Sequence, residues 1–241
     1  VVLSVVLAGG YFAIGNYFYD LAVNAHTNKS FLTAGSKQKP LSKKEERKKE
    51  NKAFLADIKS DAWYVTSSDK LKLKLYAADY KQPTKTNKWA IVVHGYGGQS
   101  TDMASWTRHF YNKNYNVVTP DLRGHGKSQG DYIGMGWDDR KDMLLWIAKI
   151  IQKDPQAEIV LLGVSMGGAT VMNTSGEKLP SSVKAIVEDC GFTSTGDVFA
   201  YQLKQLYGLP KFPVLYAANT VVKIRAGYDI FKSSAIKQVA K

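Results

Sequence analysis

The most constraining feature of this 241-residue chain is a serine between glycines, directly after an apolar run. Residues 158–162 read EIVLL, and residues 163–167, GVSMG, follow at once. The apolar run is typical of a buried strand, and the residues after Gly167 favour a helix. A strand, a tight turn and a helix in this order expose a serine hydroxyl at the end of a sheet. The pattern therefore predicts a nucleophile at Ser165, and the alternative is a glycine-rich helix start that only packs closely.

From Ala62 onward, short apolar runs alternate with amphipathic stretches. The pattern predicts strands within residues 71–80, 88–96, 115–123, 158–165 and 183–190. It predicts helices at residues 102–112, at 137–152, after Ser165, and in two stretches beyond residue 195 that would cover the sheet or cap a pocket. This alternation predicts an α/β fold with a mostly parallel sheet and helices on both faces. Functional sites in such folds gather at the carboxyl ends of the strands.

The N-terminal residues Val1–Tyr19 contain no charged side chain. A run of this length matches the hydrocarbon core of a bilayer, so we predict a membrane anchor or signal segment in residues 1–25. A cleaved signal peptide and a buried core helix are the alternatives. We expect the following domain to face the cell exterior, although the basic residues after the anchor favour a cytoplasmic domain, and the orientation stays open.

Much of the formal charge of +12 lies in one segment, and the rest is dispersed along the chain. Residues 36–53 hold eight basic and three acidic side chains, and we predict that residues 26–60 form a basic helical linker. This linker either attracts anionic head groups or wall polymers, or only separates the domain from the membrane. No aromatic residue lies among these lysines, so nucleic acid is not an expected partner. The expected partners are the membrane and an acyl substrate.

A nucleophilic serine needs a base, and the four histidines of the chain are poorly placed to supply one. Along the chain, hydrolases with this turn place the serine first, then the acid, then the histidine. Residues 166–241 contain no histidine. The four that exist are His26 beside the anchor, His94 and His125 before glycines in turns, and His109 on a predicted helix. None of them is predicted to be the base.

Three motifs carry a family resemblance: HGYGG at 94–98, DLRGHGKS at 121–128 and GVSMGG at 163–168. In order and spacing they resemble the successive signatures of the α/β-hydrolase superfamily. GWDDRKDMLLWI and VEDCGFTS further resemble membrane-anchored bacterial cell-surface hydrolases related to serine aminopeptidases and esterases. The resemblance covers residues 61–241 and implies an α/β-hydrolase core there. It also implies that the backbone N–H groups of Tyr96 and Met166 form an oxyanion hole.

The resemblance implies where the other catalytic residues belong. In that family, helices like those predicted after residue 195 lead into a strand that carries the acid, and a last strand precedes the histidine. We therefore expect the sequence to be a fragment at both ends, with the last strands, the acid and the histidine beyond Lys241. Asp189 is an alternative acid, and its competing role is a polar cap beneath Thr193 and Ser194.

These features predict a serine hydrolase that cleaves an ester, a thioester or an amide through an acyl-enzyme on Ser165. We expect the 241-residue chain to be inactive or weak, because it lacks the base. The expected substrate is a small-molecule or peptide acyl compound, and no cofactor or metal is predicted. The alternative is a noncatalytic surface or binding protein that has the hydrolase fold without its triad.

Overall fold

A six-stranded mixed sheet forms the centre of the computed structural model, which describes residues 2–29 and 42–241. Its strands are β1 (Ser60–Thr66), β2 (Lys74–Tyr80), β3 (Lys88–Val93), β4 (Asn116–Pro120), β5 (Glu158–Val164) and β6 (Val183–Asp189). All five predicted strands are present. The sequence pattern missed β1, because this edge strand buries only Trp63 fully and so lacks an apolar run.

The strand order is β1-β2-β4-β3-β5-β6. β4, β3, β5 and β6 are parallel neighbours, whereas β1 and β2 extend the sheet by antiparallel pairing. After Lys88, every residue of β3 is buried, as expected for a central strand with helices on both faces. The carboxyl ends of β3 and β5 therefore lie side by side, and this edge carries the candidate site.

Helices cover both faces of the sheet. They are α1 (Val2–Ala22), α2 (Ser42–Asp57), α3 (Ala104–Tyr111), α4 (Asp139–Lys153), α5 (Met166–Ser175), α6 (Thr195–Tyr207), α7 (Val214–Arg225) and α8 (Ala235–Val239). Alternate residues of β3 point to opposite layers: Ile91 belongs to a cluster with Trp146 of α4, and Val92 to a cluster with Phe110 of α3. This arrangement confirms the predicted α/β class, with a mostly parallel sheet and helices on both faces.

Helix α1 has two different halves. Its first nine residues, 2–10, are exposed, whereas Gly15 and Tyr19 are buried. Gly15 lies where α1 crosses α7, and a Cβ there would be only 2.6 Å from the carbonyl oxygen of Ala217. Helix α1 is long and apolar enough to cross a membrane, which by itself is weak evidence for an anchor.

Helix α2 lies within the segment predicted as a basic linker, of which residues 30–41 are outside the described part of the chain. It packs on α3 through the rings of Phe54 and Tyr111, whose centroids are 5.7 Å apart, and through an ion pair between Glu50 and Arg108. The division of the chain at residues 25 and 60 stays a prediction.

A buried carboxyl group on β2 makes the stability of the fold depend on pH. Asp79 is 1% exposed, and neither of its oxygens has a hydrogen-bond partner among the described residues. The Nζ atom of Lys81 lies 3.8 Å away. Burial raises the pKa of Asp79 to about 6. The folded protein therefore holds this proton more tightly than the unfolded chain. The free energy of unfolding falls as the pH rises from about 4 to about 6, because ionisation is more costly for the buried group than for the same group in the unfolded chain.

We expect Asp79→Asn to raise the free energy of unfolding at pH 7.5 by about 2 kcal/mol, because the amide carries no charge. The gain should disappear at about pH 3, below the ordinary pKa of an aspartate, where Asp79 is protonated in both states. Urea unfolding at the two pH values measures it. Asp61→Asn is the control, since Asp61 is half-exposed and also faces Lys81 at 3.7 Å. A loss of stability in Asp79→Asn at pH 7.5 would contradict the prediction.

Candidate active site

Ser165 lies in a sharp turn between β5 and α5. Its backbone angles, φ +55° and ψ −115°, are rare for a residue with a side chain. The N–H of Ser165 donates to the carbonyl of Asp189 at 2.8 Å, and its carbonyl accepts from the N–H of Ala169 at 3.0 Å. The turn is thus held from β6 on one side and from α5 on the other, so the strained conformation is maintained.

The glycines around Ser165 are required by close backbone approach. A Cβ on Gly163 would lie 2.0 Å from the carbonyl oxygen of Gly167. A Cβ on Gly167 would lie 2.2 Å from the carbonyl oxygen of Val93, at the end of β3. Both positions therefore exclude any larger side chain, and this packing brings α5 against the ends of β3 and β5.

The two predicted oxyanion donors lie beside Ser165. Gly95, in the turn after β3, approaches so closely that a Cβ there would be 3.3 Å from the Cβ of Ser165. Tyr96 follows it, and Met166 is the first residue of α5, where backbone N–H groups have no partner within the helix. Among the described residues, none accepts a hydrogen bond from the backbone N–H of Tyr96 or of Met166. Both donors are thus available, and their role stays a prediction.

His94 holds the turn that carries Tyr96. Its Nδ1–H donates to the carbonyl of Gly95 at 2.7 Å, and its Nε2 accepts from the N–H of Leu122 at 3.0 Å. Burial, together with the neighbouring His125 ring, lowers the pKa of His94 to about 4. Both ring nitrogens are occupied and the ring is neutral, so His94 is unsuited to take a proton from a serine.

His125 has the same arrangement in the neighbouring loop. Its Nδ1–H donates to the carbonyl of Arg123 at 2.8 Å, and its Nε2 accepts from the N–H of Gly97 at 3.2 Å. Burial lowers the pKa of His125 as well. The other histidines lie elsewhere: His26 pairs with an exposed carboxylate, and His109 lies on α3. Within the described residues, no side chain forms a hydrogen bond with the Oγ of Ser165.

Asp189 ends β6, which is the edge strand of the described sheet. Its side chain is exposed, and only its backbone carbonyl contacts Ser165. The role of Asp189 as the acid is therefore still only a prediction. The described residues also contain no group of three His, Cys, Asp or Glu side chains that could hold a metal ion.

A cavity of about 310 Å³ opens beside Ser165, a size typical of small-molecule sites. Tyr96, Ser165 and Met166 all line it. Helices α6 and α7 form much of its wall, which is one of the two positions, over the sheet or capping a pocket, that the sequence pattern left open for the helices beyond residue 195. The end of α1 forms another part, through Phe18 and Leu21. The sequence pattern did not predict this contribution, because an apolar helix carries no signal that separates a lipid-facing side from a pocket-facing one.

A buried ion pair supports the loop behind the site. The guanidinium of Arg123 binds the carboxylate of Asp142 on α4 through two hydrogen bonds, of 2.6 and 2.8 Å. Arg123 also pairs with Asp69. The pair joins the DLRG loop to α4 and so positions His125 and the turn it supports. No sequence signal linked these residues.

Comparison with known families agrees with this geometry. Residues 84–209, more than half of the chain, match the family described as serine aminopeptidase, S33. The chain belongs to this serine aminopeptidase family. The match includes the turn after β3, the turn at Ser165 and helix α6, and it confirms the predicted membership of the α/β-hydrolase superfamily.

Curated relatives of this family member are longer proteins. The uncharacterized protein YqkD of Bacillus subtilis is 26% identical over 160 residues, which cover 66% of this chain and 52% of YqkD. The uncharacterized protein YfhR of Escherichia coli K12 is 30% identical over 111 residues, which cover 45% of this chain and 39% of YfhR. The chain therefore spans about half of the length of YqkD and a smaller share of YfhR.

Solved structures share the fold. An esterase of Pyrococcus furiosus has a TM-score of 0.56 at 21% identity, and the match covers 73% of this chain and 65% of the esterase. A carboxyl esterase of Bacillus coagulans has a TM-score of 0.51 at 19% identity, over 66% of this chain and 51% of the esterase. At these identities the likeness concerns the fold alone.

Proposed function

We propose that the protein is a serine hydrolase in which Ser165 attacks the carbonyl carbon of an ester, a thioester or an amide. The Ser165 oxygen bonds to the carbon, the leaving group departs with a proton, and water then releases the acyl group from the serine. The observation that supports this proposal is the backbone of Ser165 at φ +55° between β5 and α5. A turn of this kind presents the hydroxyl at the floor of the cavity.

The proposed oxyanion hole consists of the N–H groups of Tyr96 and Met166. As Ser165 attacks, the carbonyl oxygen gains negative charge, and two fixed donors stabilise that charge in the transition state. Met166 lies at the first turn of α5, whose positive dipole end adds to this stabilisation. Both N–H groups lack an acceptor within the described residues, which is consistent with this role.

The proton of Ser165 requires a base, and we assign that role to a histidine oriented by an acid. The described histidines are engaged elsewhere, and His94 and His125 have both ring nitrogens occupied. In the resembling hydrolases both partners follow the helices at the end of this sequence, and we propose the same order here. Asp189 stays the alternative acid. The substrate is proposed to be a small-molecule or peptide acyl compound.

The second candidate is a noncatalytic binding protein with the hydrolase fold. It is favoured by one observation, namely that no described histidine forms a hydrogen bond with Ser165. Covalent labelling of the full natural protein separates the candidates. A serine hydrolase should carry a fluorophosphonate adduct on the tryptic peptide that contains Ser165, whereas the binding protein should carry none.

We also propose that α1 attaches the protein to a membrane and that the hydrolase domain faces the cell exterior. Cys190 provides a test, because it is the only cysteine of the 241 residues and is exposed. A membrane-impermeant maleimide should label it in intact cells. Cys190→Ser is the control for background. Labelling that appears only after lysis would place the domain in the cytoplasm.

A further inference from the structure

The wall of the cavity at Ser165 is chemically simple. Apolar side chains from three helices, among them Phe18, Leu21, Leu203, Leu206, Ala218 and Val222, line most of it. Among the lining residues that the structure describes, polar groups are few and include Tyr96 and Ser165 at the site itself. Such a cavity provides no charged group and, beyond Gln202 and Tyr207, few hydrogen-bond partners for a peptide backbone, and its apolar wall matches the surface of a hydrocarbon chain.

The end of α1 is joined to the oxyanion turn. The hydroxyl of Tyr96 donates to the carbonyl of Ala22 at 2.7 Å, across 74 residues of sequence. The Nζ of Lys29 donates to the carbonyl of Leu21 at 2.7 Å, which satisfies an otherwise open carbonyl at the end of α1. The last turn of α1 is therefore a fixed wall of the site rather than a loose tether.

The rim of the cavity is continuous with an exposed apolar surface. Leu206 and Tyr207 line the cavity and are also 48% and 38% exposed. The ring of Tyr207 packs on Phe18 of α1 with centroids 5.6 Å apart. The next loop continues the surface with Leu209 and with Phe212, which is 71% exposed. Apolar and aromatic side chains grouped in this way are typical of a membrane interface.

We propose that the cavity takes the acyl chain of a lipid ester directly from the bilayer that holds α1. This proposal rests on the proposed function, because the ester carbonyl would then reach Ser165. The exposed, apolar half of α1 lies in the lipid, and the surface around Leu206, Tyr207 and Phe212 contacts the interface. The acyl chain enters along Phe18 and Leu21 without crossing water. Helix α1 is thus both the anchor and a part of the substrate site.

Photo-crosslinking of the protein in phosphatidylcholine nanodiscs tests the proposal. The probe is a phosphatidylcholine with a diazirine at the end of one acyl chain, and mass spectrometry maps its adducts. We expect adducts on Leu21, Leu203 and Val222 inside the cavity, as well as on the exposed half of α1. Adducts confined to the exposed half of α1 would overturn the proposal.

Two variants of α7 sharpen the test. Ala218→Phe fills the cavity, because Ala218 is buried at its wall, and it should reduce cavity adducts at least tenfold. Ile224→Phe adds the same ring on the same helix at a position 68% exposed, and it should leave them unchanged. Adducts on the exposed half of α1 serve as the internal reference for both. An equal loss of cavity adducts in both variants would overturn the proposal.

A wild-type measurement covers the case in which Ala218→Phe fails to fold. The second-order rate of Ser165 labelling by alkyl fluorophosphonates should rise by about fourfold per added methylene from two to eight carbons. A flat series would overturn the acyl-chain assignment. If the cavity adducts form but Ser165 is never labelled, then the proposed hydrolase function fails while the lipid site stands.

A second copy of the chain is the other possible occupant of the apolar surface. Lys204 and Lys211 are exposed beside it and react with amine crosslinkers. Dimers joined through these lysines in the nanodiscs, together with a cavity free of lipid adducts, would assign the surface to self-association and overturn the proposal. Monomers with cavity adducts support it.

Discussion

Replacing Ser165 by alanine is expected to abolish fluorophosphonate labelling and to lower kcat/KM for a soluble ester at least about 10³-fold. The hydroxyl is the atom that forms the acyl-enzyme, and the binding cavity and oxyanion donors alone leave only residual catalysis. Gel fluorescence measures the label, and initial rates with p-nitrophenyl esters measure the turnover, both on the full natural protein.

The matched control is Cys190→Ser. Cys190 directly follows Asp189, whose carbonyl binds the N–H of Ser165, so its thiol is a second nucleophile whose reaction must be distinguished from that of Ser165. Its removal should leave both labelling and turnover unchanged. Labelling that persists in Ser165→Ala would reject Ser165 as the nucleophile, and labelling that disappears in Cys190→Ser would assign the reaction to the thiol.

Replacing Arg123 by alanine is expected to lower the free energy of unfolding by about 3–5 kcal/mol. Arg123 and Asp142 are both almost fully buried, and their two hydrogen bonds compensate each charge. Burial already raises the pKa of Asp142 to about 7, so without the guanidinium Asp142 must either stay ionised in the interior without its partner or take up a proton, and both outcomes cost stability. Urea unfolding at pH 7.5 measures the loss.

Two further variants identify the cause of that loss. Arg108→Ala removes an ion pair of 3.3 Å with Glu50 at the surface and should cost less than about 1 kcal/mol. The double variant Arg123→Met/Asp142→Leu removes both buried charges and should recover most of the stability. An Arg123→Ala loss as small as that of Arg108→Ala would show that the buried pair contributes little.

Much of the fold could be predicted from the sequence because its signals are local. The strands β2 to β6 each carry an apolar run, and helices α3 and α4 follow their predicted limits to within two residues at each end. Strand β1 was not predicted, because it lacks such a local signal. It pairs with β2 along its length but buries only Trp63 fully, so its position depends on a partner rather than on its own pattern.

The candidate site likewise has one part that the sequence predicted and another that depends on the tertiary structure. Ser165, Tyr96 and Met166 were predicted from short motifs, and the structure brings them to one cavity. The occupied nitrogens of His94 and His125 depend on loops brought together by the sheet, so the sequence could only suggest their role. The acid and the base remain predictions.

The sequence by itself determined the turn at Ser165, because the strand, the glycines and the helix that shape it are contiguous, and the close contact that excludes a side chain at Gly163 is with Gly167 itself. It also determined the α/β class, since apolar periodicity reports which faces are buried. Only the tertiary structure decided that the end of α1 is a wall of the site. An apolar side chain is equally satisfied by lipid, core or pocket, and the bond from Tyr96 to Ala22 joins residues that only folding brings together.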